Sequence, residues 1–237
     1  MRVLLGSGGF RTPERIHNLQ RHLRQHLGAI TQVLFIPYAL HDHDKYVEIL
    51  TERGLNAGFE LVGIHRCPDP VAAVHAAHAI YVGGGNTFRL LNALDRQHLL
   101  DPIRQRVRAG IPYVGISAGA NVAGPTIKTT NDMPIVQPAS FDALGLVPFQ
   151  INAHYYTGAN WVKHGDTLIE HFGETRDDRI REFHEMNDTP VVGLWEAGVL
   201  LCDGATVKLH DAPARIFRKG EAALDLTPGA SWAPVAG

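Results

Sequence analysis

The sequence has few cysteines, no long apolar run and no excess of positive charge, and each shortage excludes a class of protein. Only two cysteines, Cys67 and Cys202, occur in 237 residues, too few for a disulfide framework, and neither belongs to a Cys-x-x-Cys pair. No apolar segment is long enough to span a bilayer or to form the core of a signal peptide. The 22 basic and 24 acidic residues leave a net charge of −2, without a basic stripe for nucleic acid. We therefore expect a cytoplasmic protein that binds neither membranes nor nucleic acid.

Short apolar segments alternate with helical ones through the first half of the chain. With 45% hydrophobic and 19% charged residues, the 237-residue chain suits a single α/β domain, residues 1–237. Strands are predicted for Val3–Leu5, Gln32–Pro37, Phe59–Ile64 and Ala79–Val82, and helices for Pro13–Leu27, Asp44–Ala57, Phe88–Leu94 and Ile103–Ala109. This order predicts three layers: a mostly parallel sheet with helices on both faces, closed after residue 199 by antiparallel strands. Ligands bind such sheets beyond the carboxyl ends of the strands.

One predicted helix carries two histidines at a spacing that metal sites use. His22 and His26 are four residues apart in the helix Pro13–Leu27, so they lie on the same side of it. A zinc site needs at least three protein ligands, and the sequence indicates no third one here. We therefore predict a solvated helix face and no metal site.

The motif around which the chain is organised is Gly115–Gly119, where Ser117 stands between two glycines after an apolar run. A strand, a sharp turn that exposes a serine, and a helix form the nucleophile elbow of many hydrolases. Glycines flank such a serine because a Cβ on either side would clash. A helix beginning near Ala118 would direct free N–H groups at a developing negative charge. The alternative interpretation is a glycine-rich turn whose serine only caps the helix.

A second glycine-rich turn, Gly83–Asn86, follows the predicted strand Ala79–Val82. Because no side chain blocks its approach, its backbone could come close to a reacting carbonyl. The N–H groups of Gly85 and Ala118 would then form an oxyanion hole. A plain tight turn is the alternative.

A serine nucleophile also needs a base and an acid that orients the base. His154 ends an apolar run and is predicted on a strand end that neighbours the strand of Ser117. Two carboxylates compete for the acid: Asp132 in a proline-bounded loop, and Glu196 directly after the predicted strand Val191–Trp195.

Several blocks of the sequence resemble the S51 family of serine peptidases. They are Gly115–Asn121, Pro125–Val136, Phe141–Leu144, Gln150–His154, Gly173–Arg176, Gly63–Arg66 and Val82–Phe88. The family usually has Trp at the position of Ile116 and Pro at the position of Ala153, and the segment Tyr155–His171 is longer here than is usual.

The resemblance implies a fold similar to that of class I glutamine amidotransferases. It implies a hydrolase of dipeptides with an N-terminal aspartate, which needs no metal or other cofactor. Ser117 would be the nucleophile and His154 the general base. The position of the acid corresponds to Asp132 or to Glu196, and we favour Glu196 because a strand end holds a carboxylate rigidly.

An acidic substrate also demands a cation. Arg176, in a matched block, would bind the aspartate carboxylate through two parallel hydrogen bonds. Asn86 is assigned to substrate binding with it. Without the resemblance, Arg176 would be interpreted as an exposed helix residue.

Two other functions stay open. One is a related S51 hydrolase, of the cyanophycinase type, that cleaves a polymer of aspartate and arginine; the wording of Thr129–Asp132 matches the dipeptidases better. The other is a non-catalytic binding module on the same scaffold, against which the candidate serine, histidine and acid argue. The expected partner is a small Asp-Xaa dipeptide, bound by a monomer or a homodimer.

Overall fold

The computed structural model describes residues 1–158 and 160–234, and its main sheet has eight strands. In spatial order these are β14 (Ser231–Trp232), β11 (Val207–His210), β10 (Val199–Cys202), β1 (Val3–Gly6), β5 (Tyr113–Ile116), β4 (Ile80–Val82), β2 (Gln32–Ile36) and β3 (Glu60–Gly63). Strands β1 to β5 are all parallel to one another, whereas β10, β11 and β14 each pair antiparallel with their neighbours. The α/β class is confirmed. The sheet is mixed, and its parallel half is formed by the segments that precede Ser117.

Helices cover both faces of this sheet. They are α1 (Pro13–Leu27), α2 (His43–Glu52), α3 (Pro70–Ala76), α4 (Thr87–Arg96), α5 (Leu100–Arg108), the single turn α6 (Ala118–Asn121) and α7 (Arg176–Met186), with a 3₁₀ turn at Ile64–Arg66. Leu4 packs with α1 and α2 in one apolar core, whereas Val3 and Leu5 pack with α4 and α5 in another. This split follows from the alternation of side chains along a strand. None of the helices in the described part of the chain is long and apolar enough to cross a membrane.

The first helix shows how local signals set its ends. The hydroxyl of Thr12 accepts a hydrogen bond from the N–H of Arg15 at 3.3 Å, Pro13 opens the helix, and Gly28 closes it at φ +62°. The predicted bounds Pro13–Leu27 are confirmed. The second helix ends at Glu52 rather than at Ala57 as predicted, because the backbone there turns through positive φ.

The prediction of a solvated face for His22 and His26 is wrong. Their side chains are buried, at 1% and 9% exposure. Nε2 of His22 lies 2.9 Å from a carboxylate oxygen of Asp211, and the Nε2–H of His26 donates to the carbonyl of Tyr113 at 3.0 Å. Buried polar groups need partners, and these came from segments far away in the chain.

A second sheet lies beside the first. Its order is β13 (Leu224–Leu226), β12 (Ala214–Phe217), β9 (Val191–Trp195) and β6 (Gln150–Tyr155), with β6 and β9 parallel. The prediction that His154 lies on a strand beside that of Ser117 in one sheet is therefore wrong. Both edges of β5 are occupied, by β1 and β4, so β6 pairs with β9 instead. The turn α6 packs against β6 and connects the two sheets.

The longer segment Tyr155–His171 ends in an antiparallel hairpin, β7 (Asn160–His164) and β8 (Thr167–His171). Residue 159 within it, and residues 235–237 of the predicted domain, lie outside the described residues. The hairpin leads directly to α7, so its end lies beside the helix that carries Arg176.

Candidate active site

Ser117 occupies a sharp turn between β5 and α6, with a backbone φ of +54°. A residue with a side chain rarely adopts this backbone conformation. A Cβ on Gly115 would overlap the carbonyl oxygen of Gly119, and a Cβ on Gly119 would overlap that of Val82. The two glycines therefore let the turn sit against β4, as the motif predicts.

His154 reaches this turn because of a bulge in β6. Ala153 pairs with Leu194 and Tyr155 with Trp195, so His154 is an extra residue on its strand. Its φ of +56° turns the side chain out of the ladder. A bulge of this kind re-aims a side chain without ending the strand.

Three side chains form a continuous hydrogen-bonded chain. Oγ of Ser117 lies 2.9 Å from Nε2 of His154, and Nδ1 of His154 lies 3.3 Å from Oε1 of Glu196. Glu196 directly follows β9, the parallel neighbour of β6, so both carboxyl ends meet at the same place. The side chains of His154 and Glu196 are 42% and 52% exposed, which leaves room for a substrate.

Asp132 has different partners. One of its carboxylate oxygens accepts hydrogen bonds from the N–H and the hydroxyl of Thr87, at 2.7 and 2.5 Å, and from the hydroxyl of Thr130 at 3.1 Å. Thr87 is the first residue of α4, where the helix dipole favours a negative charge. Asp132 thus holds its own loop against the start of α4.

Asn86 is the N-cap of α4. Its side-chain oxygen accepts from the N–H of Arg89 at 3.0 Å, and its amide donates to the carbonyl of Met133 at 2.8 Å. Asn86 and Asp132 therefore fasten the same loop to the same helix end.

The turn after β4 lies against Ser117. A Cβ on Gly84 would come within 3.0 Å of Cβ of Ser117, whereas one on Gly85, at φ +136°, would meet the carbonyl oxygen of Ala39. Burial raises the pKa of the Tyr46 hydroxyl, and a hydrogen bond from the backbone of Gly84 opposes that shift.

Arg176 is the first residue of α7 and is half-buried. Its Nη1 donates to Oδ1 of Asn131 at 2.6 Å, its guanidinium lies 5.4 Å from the ring of Tyr156, and its Nε is buried without a hydrogen bond. Burial lowers the pKa of the guanidinium. Sequence reasoning did not single out Asn131 or Tyr156. Their positions beside Asp132 and two residues after His154 were the available signals.

Two open cavities are lined by these residues. One of about 300 Å³ is lined by the turn after β4, Ser117 and His154, and one of about 380 Å³ by Asn131, Tyr156 and Arg176. A larger cavity of about 890 Å³ lies where β2 and β3 begin. Ligands of parallel sheets bind at the opposite ends of the strands, so the two smaller cavities form the candidate site. Over residues 1–158 and 160–234, no three metal-binding side chains are grouped to hold an ion.

Comparison with known proteins places the chain among peptidases. The model of peptidase family S51 matches residues 3–210. The chain belongs to peptidase family S51. This S51 peptidase is 47% identical to a peptidase E of Streptomyces coelicolor over 86% of its own length and 81% of the relative's. It is 45% identical to a protein of Drosophila melanogaster named "probable alpha-aspartyl dipeptidase", over 84% and 81% of the two chains.

Solved structures share the fold of this S51 peptidase at lower identity. A peptidase from an acI-B1 actinobacterium superposes with a TM-score of 0.66 at 19% identity, covering 98% of this chain and 96% of that one. A Listeria monocytogenes protein, described as a candidate peptidase E, superposes with a TM-score of 0.60 at 22% identity, covering 95% and 98%. At these identities the likeness concerns the fold alone.

Proposed function

We propose that this S51 peptidase is a serine dipeptidase that cleaves Asp-Xaa dipeptides through an acyl-enzyme on Ser117. The observation that carries the proposal is the hydrogen-bonded chain from Ser117 through His154 to Glu196. Nucleophile, base and orienting acid in that geometry are what acyl transfer requires. The names of the Streptomyces and Drosophila relatives support the substrate class.

Each residue of this hydrogen-bonded chain has a role in the reaction. Nε2 of His154 takes the proton of Ser117 as Oγ attacks the peptide carbonyl carbon, and Glu196 holds the proton on Nδ1. The carbonyl oxygen becomes an oxyanion, the C–N bond breaks, and His154 returns the proton to the leaving amine. Water then attacks the acyl-enzyme with His154 again as base, which releases aspartate and frees Ser117.

The oxyanion is assigned to the N–H groups of Gly85 and Ala118. The turn that contains Gly85 lies against Ser117, so its backbone is close to the proposed nucleophile. Ala118 is the first residue of α6, and its N–H has no partner within the helix. Two fixed donors cost no reorganisation when the charge develops.

Glu196 is the better candidate for the acid. Its carboxylate faces Nδ1 of His154, whereas the hydrogen bonds of Asp132 run to Thr87 and Thr130. Asp132 and Asn86 are therefore assigned to the loop that forms the substrate pocket.

Arg176 is the candidate for reading the aspartate carboxylate. Its guanidinium is half-buried and keeps one N–H without a partner, an arrangement that favours an incoming anion. The planar fork of Arg matches a carboxylate through two hydrogen bonds. Asn131 and Tyr156 hold the fork from two sides.

We also propose a single domain on a scaffold like that of class I glutamine amidotransferases, with Ser117 at a nucleophile elbow. The strand–turn–helix around Ser117 and its two flanking glycines support this. Cytoplasmic location and a monomeric or dimeric state stay predictions.

The test is release of free aspartate from Asp-Leu by the purified protein, with Leu-Leu and an Asp-Arg polymer as competing substrates. Cleavage of Asp-Leu, with Leu-Leu resistant, is the expected result. Preferred cleavage of the polymer would favour a cyanophycinase type of activity. Binding of Asp-Leu without turnover would leave only a binding module.

A further inference from the structure

The glycine-rich exit of β1, Ser7–Gly9, has no part in the chemistry described so far, yet it contacts the site. Ser7 is fully buried. Its hydroxyl accepts a hydrogen bond from the backbone N–H of His154 at 2.8 Å and donates one to the carbonyl of Leu194 at 2.7 Å. The hydroxyl of Ser7, directly after β1, thus joins the strand that carries His154 to the strand that precedes Glu196.

The next two residues press their backbone against the same side chains. A Cβ on Gly8, at φ +117°, would lie 2.6 Å from Cε1 of His154. A Cβ on Gly9, at φ +70°, would lie 2.5 Å from Oε2 of Glu196. The N–H of Ala197 donates to the carbonyl of Gly8 at 2.7 Å, which fixes the chain just after Glu196. No side chain would fit between this loop and the imidazole–carboxylate pair.

Arg15, in the first turn of α1, contacts the carboxylate from its other side. Its Nη1 donates to the carbonyl of Gly9 at 3.1 Å and lies 3.6 Å from Oε2 of Glu196. The remaining oxygen, Oε1, faces His154. Each carboxylate oxygen of Glu196 therefore has its own cationic or imidazole partner.

We propose that Ser7 and Arg15 are positioning residues for the base. Ser7 holds the backbone of His154 in its left-handed conformation, and Arg15 holds the carboxylate of Glu196 with Oε1 toward the imidazole. The inference rests on the proposed function, since it assigns roles relative to His154 as base. These contacts account for the small residues Ser7–Gly9 that follow β1.

The position of Arg15 gives its role a kinetic signature. Its guanidinium lies near Oε2 of Glu196, while the imidazole lies between Oε1 of Glu196 and the hydroxyl of Ser117. Loss of Arg15 should therefore leave the acid less well oriented, which lowers kcat and leaves KM nearly unchanged. Because both side chains are about half exposed, the fall in kcat should be about twofold to fivefold.

The experiment measures kcat and KM for Asp-Leu in the wild type, Arg15→Gln, Arg15→Lys and Arg21→Gln. Arg21 is the matched control: it lies on the same helix, is similarly exposed, and pairs with Asp211 at 3.4 Å instead of Glu196. The value of kcat should fall in Arg15→Gln only, and Arg15→Lys should restore it. An unchanged kcat in Arg15→Gln, or an equal loss in Arg21→Gln, would overturn the role of Arg15.

Ser7 is tested by Ser7→Ala, with folding followed by thermal unfolding. We expect kcat to fall roughly ten- to a hundredfold with KM unchanged, since small misplacements of a catalytic group cost that much. An unchanged kcat in folded Ser7→Ala would overturn its role.

A second measurement distinguishes failure of the positioning roles from failure of the proposed substrate. Inactivation by phenylmethanesulfonyl fluoride reports on the activated serine whatever the peptide specificity. If Asp-Leu is not cleaved but the reagent inactivates the wild type faster than Ser117→Ala, the rate of inactivation in the same variants tests Arg15 and Ser7. If wild type and Ser117→Ala are equally unreactive, the serine mechanism fails and the positioning roles fail with it.

Discussion

The two halves of the candidate site are built in different ways. The half that holds the proposed nucleophile, called the nucleophile half, consists of β5, Ser117 and α6, and its conformation is fixed by glycines that touch neighbouring backbone. The half that holds the proposed base, called the base half, consists of the strand ends that carry His154 and Glu196 in the second sheet, where a bulge sets the direction of the imidazole. One half is dictated by consecutive residues; the other is assembled from segments distant in the chain.

The difference matters because catalysis requires the halves to meet within hydrogen-bond distance. The nucleophile half is buried around the serine, while the His154 and Glu196 side chains are about half exposed. Burial on one side and exposure on the other suit a site that holds a nucleophile and admits a dipeptide. The halves are separable by substitution, and the expected effects differ in size.

The largest effect is expected from the nucleophile half. Ser117→Ala should lower kcat on Asp-Leu by as much as about 10⁶-fold, because removing the serine of such a triad removes the covalent route. The melting temperature should change little, since no packing group beyond one hydroxyl is lost. Turnover near the wild-type rate, in a preparation free of contaminating peptidase, would remove Ser117 from the mechanism.

The base half should give the next largest effect. Glu196→Gln should lower kcat by up to about 10⁴-fold, because an amide no longer stabilises the imidazolium or selects its tautomer. Asp132→Asn, the matched carboxylate-to-amide control, should act mainly on KM by loosening the loop held at Thr87. The reverse pattern would transfer the acid role to Asp132 and break the division into halves.

Sequence reasoning predicted the strand and the turn around Ser117, but it did not predict the second sheet. The strands β1 to β5, the first helix and the glycine requirement around Ser117 follow from local pattern, because periodicity, caps and Cβ clashes act over a few residues. The second sheet does not follow, since its pairing depends on which edges of the main sheet are already occupied. The burial of His22 and His26 was missed for the same reason: Asp211 and Tyr113 become their partners only after folding.

Recognition of the substrate is assigned to Arg176, which belongs to neither half of the site. Arg176→Gln should reduce hydrolysis of Asp-Leu relative to Asn-Leu by roughly tenfold to a thousandfold, the effect of losing one partner of a buried charge pair. The ratio of the two kcat/KM values is the measurement, because a folding defect would lower both together. Arg181→Gln, an exposed arginine on the same helix paired with Asp178, is the control. Equal losses on both substrates would leave the aspartate carboxylate without its proposed reader.

The smallest effect is expected from a change of pH, which should destabilise the nucleophile half through His26. His26 donates to the carbonyl of Tyr113, at the start of the strand that leads to Ser117, and burial lowers the pKa of its imidazole to about 4. In the unfolded chain that pKa is about 6.5. Between these values the unfolded chain binds the extra proton, so stability falls as pH falls below about 6.5.

Between pH 7 and pH 5 the free energy of unfolding should therefore drop by about 2 kcal/mol through this residue. Urea unfolding at the two pH values measures it, and His26→Gln, whose amide can still donate to Tyr113, should flatten the dependence. Burial also lowers the pKa values of His22 and His210, so these residues account for the pH dependence of stability that remains in His26→Gln. His75→Gln, on the exposed side of α3, should leave the drop unchanged. If His26→Gln loses as much stability on acidification as the wild type, the nucleophile half does not depend on a neutral imidazole beneath β5.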